Sequence, residues 1–461
     1  MKKVKCVLID PPSLEVNISD EDGLKETKER LACSPPIGLA HIAAVLREDD
    51  VEVKIIDAKS LNMSHKETCD AVLVEAPGVV GITVFTSQLR SALITAREIK
   101  ENLPGVKIAV GGPHVHAQYE ELIKEKKVID ICVRLEGEIT MAEVVHAIAD
   151  GSDFGDIPGI PFRAGDKVIV NPDRPFIENL NALPFPARDL LPNHVYRGAI
   201  GHGERSLFTL ISASRGCPFS CDFCSVPRFW RCSRRRSVDD VIAEMREVYS
   251  KFGIEYMRFT DEVFVLNTKW VNEFCQRMID SDLNENIVWS CDARVDLVDE
   301  AILQKMSQAG CKVIFYGIEF GNQNILDDCG KGIKIEQIYK AIDLSKKVGI
   351  SPTGNFMLGY PTETKETIED TIKLALSLDL ETCSFSIVTP FPGCKLHNYC
   401  RDQGLLKTDD WEQFNYFHPA ESVIRLPNIH DDELIELYRR IRYEYYFRHM
   451  KEELAEELSR V

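Results

Sequence analysis

Two series of alternating strand-like and helix-like runs, separated by a proline- and glycine-rich stretch, constrain the fold of this 461-residue chain most strongly. In the first 150 residues, short apolar runs such as Lys107–Gly111 alternate with longer runs of helical spacing such as 89–102. This alternation is typical of a doubly wound parallel sheet of Rossmann type. Ligands of such sheets bind beyond the carboxyl ends of the strands.

The second series holds six strand-like runs with helical runs between them. Gly253, Gly310 and Gly349 each follow a predicted helix, where a left-handed cap is favourable. Six β/α units are two short of a closed eight-unit barrel, so the pattern predicts an open (β/α)6 partial barrel of TIM type. The expected divisions are an α/β domain at 1–150, a connector at 151–205, the barrel at 206–400 and a helical tail at 401–461.

Composition excludes several classes of protein. Apolar residues make up 44% of the chain, and no apolar run approaches the roughly 18 residues that a membrane span needs. A formal net charge of −18 argues against nucleic-acid binding, with a local basic exception at residues 228–236. The amino-terminal run is too short for a signal peptide, so we expect a cytoplasmic protein whose fifteen cysteines are reduced or metal-bound.

Three cysteines, Cys217, Cys221 and Cys224, follow the first strand-like run of the second series, separated by three and then two residues. Thiolates hold iron–sulfur clusters, and a 4Fe–4S cube ordinarily takes four of them. A cube held by three thiolates keeps one iron open to a small molecule, which indicates catalysis rather than electron relay. Zinc is the alternative metal, although zinc sites usually pair two Cys-x-x-Cys runs and no second pair lies nearby.

The run Cys217-Pro-Phe-Ser-Cys221-Asp-Phe-Cys224 resembles the signature of the radical S-adenosylmethionine (radical SAM) enzymes, with Phe223 at the family's aromatic position. The resemblance implies that the three cysteines hold the cube and that the open iron binds the amino and carboxylate groups of SAM. Reductive cleavage of SAM would then give methionine and a 5′-deoxyadenosyl radical. The resemblance also implies a flavodoxin- or ferredoxin-type electron donor and an anaerobic or low-oxygen setting.

Residues at the carboxyl ends of the predicted barrel strands match the family's SAM-binding elements. Asp261 and Glu262 match the acidic pair that faces the methionine ammonium, and Glu319 matches the acidic residue of the Gly-x-Glu-x-Gly element. Arg294 would suit the carboxylate of SAM, because a guanidinium binds carboxylates in bidentate fashion. For each of these residues the alternative is a salt bridge at the barrel rim, such as Arg294 with Glu319. No catalytic residue is assigned by these patterns.

A second resemblance concerns the first series. Ser87-Gln-Leu89 and Gly111-Gly-Pro-His114 are similar to the serine and double-glycine elements of cobalamin-binding domains. The resemblance implies a cobalamin site that includes Ser87, Leu89, Gly111, Gly112, Pro113 and His114. The Asp-x-His-x-x-Gly motif, which supplies an axial histidine in other cobalamin proteins, is absent. The alternative is a domain of the same fold that positions substrate without binding a corrin.

Together the resemblances predict a cobalamin-dependent radical SAM methyltransferase. It would act on an unactivated carbon or phosphorus centre of a small-molecule or lipid-like substrate. The enzymatic alternatives are a cyclase, a C–C bond-forming enzyme or a mutase that uses no cobalamin, and a methylthiotransferase. The last would need a second cluster, which Cys6, Cys33, Cys69 and Cys132 do not convincingly supply. A corrin or electron carrier without enzymatic activity is the alternative from another class of protein.

Overall fold

The computed structural model describes residues 4–13, 34–200, 205–230, 232–378, 380, 382–415 and 421–459, with only the backbone described for 199 and 448–459. Two compact units make up the chain: Met1–Gly198 with Ser206–Leu210, and Ala199–Arg205 with Ile211–Val461. Within the described ranges, no helix is both long and apolar enough to cross a membrane.

Up to residue 170, the described part of the chain contains seven strands and five α-helices. The strands are β1 (Lys5–Asp10), β2 (Glu52–Asp57), β3 (Val79–Thr83), β4 (Lys107–Gly111), β5 (Ile131–Val133), β6 (Pro161–Ala164) and β7 (Lys167–Val170). The helices are α1 (Ile37–Glu48), α2 (His65–Glu75), α3 (Leu89–Asn102), α4 (Pro113–Glu125) and α5 (Gly137–Asp150).

These strands form one sheet in the order β2-β1-β3-β4-β5-β6-β7. β1 to β5 are parallel, and the hairpin of β6 and β7 continues the sheet in the antiparallel direction. β1 is buried along nearly its whole length, as expected for a strand covered on both faces. The predicted doubly wound sheet is confirmed, and its order places a topological switch point between β1 and β3.

The rest of the chain contributes nine strands and nine helices to the described ranges. The strands are β8 (Arg197–Ala199), β9 (Arg205–Ile211), β10 (Ser214–Arg215), β11 (Arg234–Arg235), β12 (Tyr256–Phe259), β13 (Val288–Ala293), β14 (Cys311–Glu319), β15 (Ser351–Leu358) and β16 (Thr382–Ile387). The helices are α6 (Val226–Phe229), α7 (Val238–Phe252), α8 (Thr268–Asp280), α9 (Glu300–Gln308), α10 (Gln323–Asp328), α11 (Ile335–Lys347), α12 (Lys365–Ser377), α13 (Lys395–Asp402) and α14 (Asp431–Ser459).

The second sheet runs β16-β15-β14-β13-β12-β9-β8, and β10 pairs separately with β11. β12 to β16 are parallel, and the six predicted strands are all present. An aromatic core of Phe259, Phe264, Phe274 and Trp289 lies on one side, with ring centroids as close as 4.6 Å. The predicted partial barrel is confirmed, and its strands deliver their carboxyl ends to one edge, where chemistry sits in folds of this kind.

Candidate active site

The three cysteines of the predicted cluster loop come together beyond the first barrel strand. Cys221 is buried, and Cys217 and Cys224 are half-buried. Burial, with the nearby charges of Cys221 and Cys217, raises the pKa of the Cys224 thiol to about 12. Burial also raises the pKa of Cys217. Backbone N–H groups of Phe219 and Val226 donate to the sulfurs of Cys217 and Cys224, respectively, as donors around iron–sulfur thiolates do.

This donor set fits an iron–sulfur cube. Soft thiolate ligands with N–H donors directed at their sulfurs suit iron–sulfur chemistry. Over the part of the chain that the structure describes, no three His, Cys, Asp or Glu side chains surround one point as ligands of a single metal ion would. In a cube each thiolate binds a different iron, so its ligands need not surround a common point.

The backbone just before the first cysteine passes very close to another segment. Gly216 has a φ of +105°, and a Cβ on this residue would lie 2.2 Å from the carbonyl oxygen of Cys232. Only glycine fits this position, because a side chain would clash and the backbone conformation would be strained. The N–H of Gly216 donates to a carboxylate oxygen of Glu262 at 3.0 Å. The start of the loop is therefore fixed from two sides.

The middle of the loop is held by two later segments. The N–H of Asp222 donates to the carbonyl of Cys329 at 2.9 Å, and the N–H of Leu396 donates to the carbonyl of Asp222 at 2.8 Å. Lys395 adds an ion pair with Asp222 at 3.1 Å. These contacts connect the loop to the residue after α10 and to the first turn of α13, so its position depends on two segments that are distant in sequence.

Asp261, predicted to face SAM, is fully buried, and its carboxylate binds other residues of the barrel. Its carboxylate accepts the N–H of Ala213 at 2.9 Å and the hydroxyl of Ser214, and Arg235 lies 3.8 Å away. Burial raises the pKa of Asp261, and Arg235 opposes this. Its neighbour Glu262 is only half-buried. Asp261 thus fixes the chain that leads into the cluster loop, while Glu262 lies beside the loop itself.

Arg294 and Glu319 each have a partner that the sequence did not indicate. The guanidinium of Arg294 stacks 3.7 Å over the ring of Phe219 and donates to both carboxylate oxygens of Asp296 at 3.0 Å. Glu319 pairs with Lys331 at 2.8 Å, and both side chains are almost buried. The suggested ion pair between Arg294 and Glu319 is therefore wrong, because each charge is already neutralised by a nearer residue.

The Gly-x-Glu-x-Gly element has a steric explanation. A Cβ at Gly317 would lie 2.6 Å from a carboxylate oxygen of Glu319, so the glycine makes room for that side chain. Glu319 itself has a φ of +69°, at an irregularity in the pairing of β14 with β15. A Cβ at Gly321 would lie 2.4 Å from the Cα of Thr371 on α12. A non-glycine residue with positive φ at a strand end is a strained conformation that often marks a functional site.

Arginines of the stretch after the cluster loop contact other residues of the barrel. Arg235 stacks 4.7 Å over Trp270, and Arg236 is paired with Asp240 at 2.6 Å and with Glu244. All of these contacts lie at the start of α7 and α8. These two arginines therefore have a structural role within the barrel.

Aromatic rings connect the cluster loop to a buried carboxyl at the end of β15. Phe223 packs edge-on against Phe320 at 6.5 Å, and Phe320 packs against Tyr360 at 5.8 Å. The N–H groups of Gly359 and Tyr360 donate to one oxygen of Glu363 at 2.6 and 2.8 Å. Glu363 is fully buried, and burial raises its pKa to about 8. A neutral carboxylic acid therefore holds this turn in place near pH 7.

In the first unit, polar residues meet at the switch point between β1 and β3. The amide of Gln88 donates to Asp10 at 3.0 Å, and the hydroxyl of Tyr196 donates to Asp57 at 2.6 Å. Asp10 and Asp57 are paired in register at the ends of β1 and β2, and both are buried. Burial raises the pKa of Asp10 to about 6, with Lys59 and Gln88 opposing and Asp57 adding to the shift.

The two loops with cobalamin-like motifs lie beside each other at this edge. The N–H of Val84 donates to the carbonyl of Gly111 at 2.8 Å. Gly112 has a φ of +106°, and a Cβ there would lie 2.9 Å from the carbonyl oxygen of Val84. A flat ligand over this edge would meet bare backbone, which is the cradle that a corrin needs. Pro113 is exposed at the first position of α4, where its missing N–H costs nothing.

The other predicted corrin residues differ in exposure. Ser87 and the neighbouring Phe85 are exposed, whereas Leu89 is buried at the start of α3. His114 is buried, with its Nδ1 3.2 Å from the hydroxyl of Thr86. Burial lowers the pKa of His114 to about 4, so the ring is neutral at physiological pH. The histidine therefore supports the loop from beneath, and Ser87 is the polar side chain at the surface.

Comparison with known proteins places this architecture in a family. The family model of the radical SAM superfamily matches residues 211–375, and that of the B12 binding domain matches residues 27–145. An uncharacterized methyltransferase of Pyrococcus horikoshii is 33% identical over 97% of this chain and 94% of that protein. The chain belongs to the radical SAM superfamily. It is an enzyme of the branch that carries a B12-binding domain, and the family's cofactors are a 4Fe–4S cluster and SAM.

Other radical SAM relatives share most of the chain. The anaerobic magnesium-protoporphyrin IX monomethyl ester cyclase of Rubrivivax gelatinosus is 31% identical over 84% of this chain and 69% of that protein. Among solved structures, the radical SAM methyltransferase TsrM of Kitasatospora setae is 18% identical and superposes with a TM-score of 0.70. That comparison covers 87% of this chain and 75% of TsrM. It confirms the predicted fold, a B12-binding domain followed by a radical SAM partial barrel.

The buried carboxyl near the radical SAM cluster loop gives a testable pH dependence. Folded Glu363 keeps its proton up to about pH 8, whereas its ordinary pKa is 4.5. Its contribution to stability is therefore fully present below about pH 4.5 and is lost as the pH rises through about 8. Glu363→Gln, which is neutral at every pH, should gain on the order of 1–3 kcal/mol relative to wild type between pH 6 and 9.

The measurement for Glu363→Gln is the urea midpoint of wild type and variant at pH 6 and pH 9. Glu366→Gln on the same loop-to-helix segment is the matched control, because that carboxyl is exposed and hydrogen bonds lower its pKa. Parallel pH profiles for wild type and Glu363→Gln would show that Glu363 is ionised in the folded protein.

Proposed function

We propose that the chain is a cobalamin-dependent radical SAM methyltransferase that acts on an unactivated carbon or phosphorus centre. The observation that carries the proposal is the combination, in one chain, of a three-cysteine loop at a barrel edge and a backbone cradle in a B12-binding domain. The relative from Pyrococcus horikoshii, which spans nearly the whole chain, is named as a methyltransferase. That name supports methyl transfer as the reaction.

The cofactors, when bound, supply an organic radical and a methyl group. The chain's own residues hold and orient them. Cys217, Cys221 and Cys224 hold the cluster. Glu262 and Glu319 are the acidic side chains beside the loop that we assign to SAM, because both retain some exposure at the carboxyl ends of the strands.

Arg294 and Asp261 serve the SAM site mainly by position. Arg294 covers Phe219 in the cluster loop, and its bonds to Asp296 fix the guanidinium at the rim, where the SAM carboxylate would bind. Asp261 holds the segment before the loop. For cobalamin we assign Ser87, Gly111, Gly112 and Pro113 to contact, and Leu89 and His114 to support beneath them.

A reductant is needed by every radical SAM enzyme. We propose that a flavodoxin or ferredoxin supplies the electrons, in the cytoplasm and at low oxygen. The substrate would be a small molecule, and no nucleic acid is expected because the arginines described above pair inside the barrel.

The test is anaerobic reconstitution of the full chain with iron, sulfide and hydroxocobalamin, followed by desalting. We expect about four irons and close to one corrin per chain, and SAM turnover that yields both S-adenosylhomocysteine and 5′-deoxyadenosine. Gly112→Ala should lose corrin and keep iron, whereas Gly105→Ala, whose added Cβ meets nothing within 4 Å, should keep both. Four irons without corrin in the wild type would refute the cobalamin assignment.

Cyclisation is the second candidate, because the relative from Rubrivivax gelatinosus is named as a cyclase. 5′-Deoxyadenosine without S-adenosylhomocysteine would favour that reaction over methyl transfer. A methylthiotransferase is less well supported, because Cys6, Cys69 and Cys132 are each buried in the first unit and Cys33 lies outside the described residues. A carrier without enzymatic activity is excluded by membership of the superfamily.

A further inference from the structure

One face of the barrel sheet keeps a row of half-buried polar side chains that the cofactors do not use. From Phe315 to Glu319 on β14 and from Asn355 to Leu358 on β15, partly exposed residues alternate with buried ones. Pairing in register places Asp292 beside Phe315, Gly317 beside Asn355, and Asn355 beside Ser384. We call this surface the open face: Arg258, Asp292, Phe315, Gly317, Asn355 and Ser384.

The open face lies deeper in the barrel than the SAM-binding edge. Phe315 precedes Glu319 by four residues on β14, which is about 13 Å at roughly 3.3 Å per residue. A substrate bound inside the barrel below SAM would therefore meet these side chains. The inference that follows rests on the proposed function and concerns which class of substrate the enzyme accepts.

Two opposite charges on the open face, those of Arg258 and Asp292, are held in place by a hydrogen-bonded ion pair that leaves other N–H groups of Arg258 unused. One nitrogen of Arg258 donates to the two carboxylate oxygens of Asp292 at 3.2 and 3.5 Å. The guanidinium lies 4.1 Å over the ring of Phe315. The side chains of Arg258 and Asp292 remain 37% and 32% exposed. The other nitrogens of Arg258 have no protein partner among the described residues, so further N–H donors of the guanidinium lie beside a partly exposed carboxylate.

Such a pair selects a ligand that carries both charges. An anion alone would meet Asp292, and a cation alone would meet Arg258. A hydrocarbon surface would desolvate both charges without compensating them, which is costly. A zwitterionic ligand can place its carboxylate against the guanidinium of Arg258 and its ammonium against the carboxylate of Asp292, so that every charge has an opposite partner. Asn355, which accepts the hydroxyl of Ser384 at 2.7 Å, adds hydrogen-bonding capacity on the same face.

We propose that the substrate is a free α-amino acid whose carboxylate binds Arg258 and whose ammonium binds Asp292. This assignment separates the chain from enzymes that act on lipids or tetrapyrroles, because their substrates would cover the pair with apolar surface. Arg258 and Asp292 are then specificity residues, which act by binding and take no part in the chemistry.

The experiment uses the anaerobically reconstituted full chain with SAM and a chemical reductant. Each standard amino acid is added separately, and SAM turnover and the thermal midpoint are measured. We expect one amino acid, or a few related ones, to raise both. In the wild type, the matching hydroxy acid, which lacks the ammonium, and the matching amine, which lacks the carboxylate, should both bind at least about tenfold more weakly, as for one lost charge-assisted contact.

Two variants turn this comparison into a test of the residues. Asp292→Asn should bind the amino acid about tenfold more weakly and should no longer distinguish it from the hydroxy acid. Arg258→Gln should likewise lose the distinction from the amine. Lys312→Gln, an exposed site on the same sheet, should behave as wild type. Variants that keep the wild-type preference for the zwitterion would overturn the assignment, and iron and corrin contents show that each variant is folded.

The outcomes separate this inference from the proposed function. An amino acid that binds with the expected variant pattern but gives no S-adenosylhomocysteine would keep the substrate class and refute methyl transfer. Methylation of an apolar lipid or a tetrapyrrole, with no response to any amino acid, would keep the methyltransferase and refute the substrate class.

Discussion

Replacing Cys217, Cys221 and Cys224 together by alanine should reduce the iron content from about four per chain to near zero. SAM cleavage should fall to background, a loss of at least about 10³-fold, because the cofactor and not the protein carries the chemistry. The reason is local: these three thiols converge at the loop, and backbone N–H groups donate to two of them. Iron analysis, sulfide analysis and the cluster's absorbance after anaerobic reconstitution measure the result.

Cys232→Ser and Cys400→Ser are the matched controls for this loss. Cys232 lies beside the cluster loop but its side chain is exposed, and Cys400 is buried in α13. Both variants should keep about four irons. If the triple variant kept its cluster, or if Cys232→Ser lost it, the assignment of the three ligands would be wrong.

The fold could be predicted because its pattern is local. Apolar strands of five or six residues alternate with amphipathic helices, and glycine follows helices such as α7, where Gly253 adopts the left-handed cap. Helix α4, which the sequence analysis did not predict, begins at Pro113. Proline reads as a turn signal, but at the first position of a helix it is equally favourable. Local sequence alone does not distinguish these two uses.

The site could be predicted only as far as its motifs reach. The cysteines were identifiable because their spacing is that of cluster ligands, and the glycines because they stand where a side chain would not fit. The hydrogen-bond partners of its buried carboxylates were not, because they lie far away along the chain. Asp57 and Tyr196 are 139 residues apart, and Asp10 and Gln88 are 78 apart. In each pair only the aspartate ends a parallel strand, and its partner is brought to that edge by a segment outside the strands.

The wrong pairing of Arg294 with Glu319 has a more local origin. Both residues lie at the barrel rim, as predicted, but the rim supplies closer partners. Asp296 is two residues from Arg294, and Lys331 reaches Glu319 after α10 returns the chain to the edge. The sequence predicts that a charged residue lies at the barrel rim. The residue that neutralises it depends on the backbone conformation of the short loops at the rim, which the sequence pattern does not specify. The same reasoning explains why Asp261 is turned inward and Glu262 is not.

Gly216→Ala should be the most damaging single substitution that leaves every cluster ligand in place. The new Cβ would lie 2.2 Å from the carbonyl oxygen of Cys232, far inside contact distance, and the atoms that it meets first are backbone atoms, which cannot rotate away as a flexible side chain can. The φ of +105° adds a conformational cost of about 1–3 kcal/mol for a residue with a side chain. The loop must move, and Cys217 is the next residue. We therefore expect the variant to be expressed and to fold normally but to lose most of its iron.

Gly253→Ala is the control that separates a general glycine effect from this one. Gly253 also has a positive φ, of +63°, but an added Cβ there meets nothing within 4 Å. That variant should lose about 1 kcal/mol of stability and keep its iron. Comparing the two variants by iron content and thermal midpoint tests the loop directly. If Gly216→Ala kept a full cluster and its SAM cleavage, the close approach of Gly216 to Cys232 could not be what positions the first ligand. The bond from Gly216 to Glu262 would then be the principal restraint.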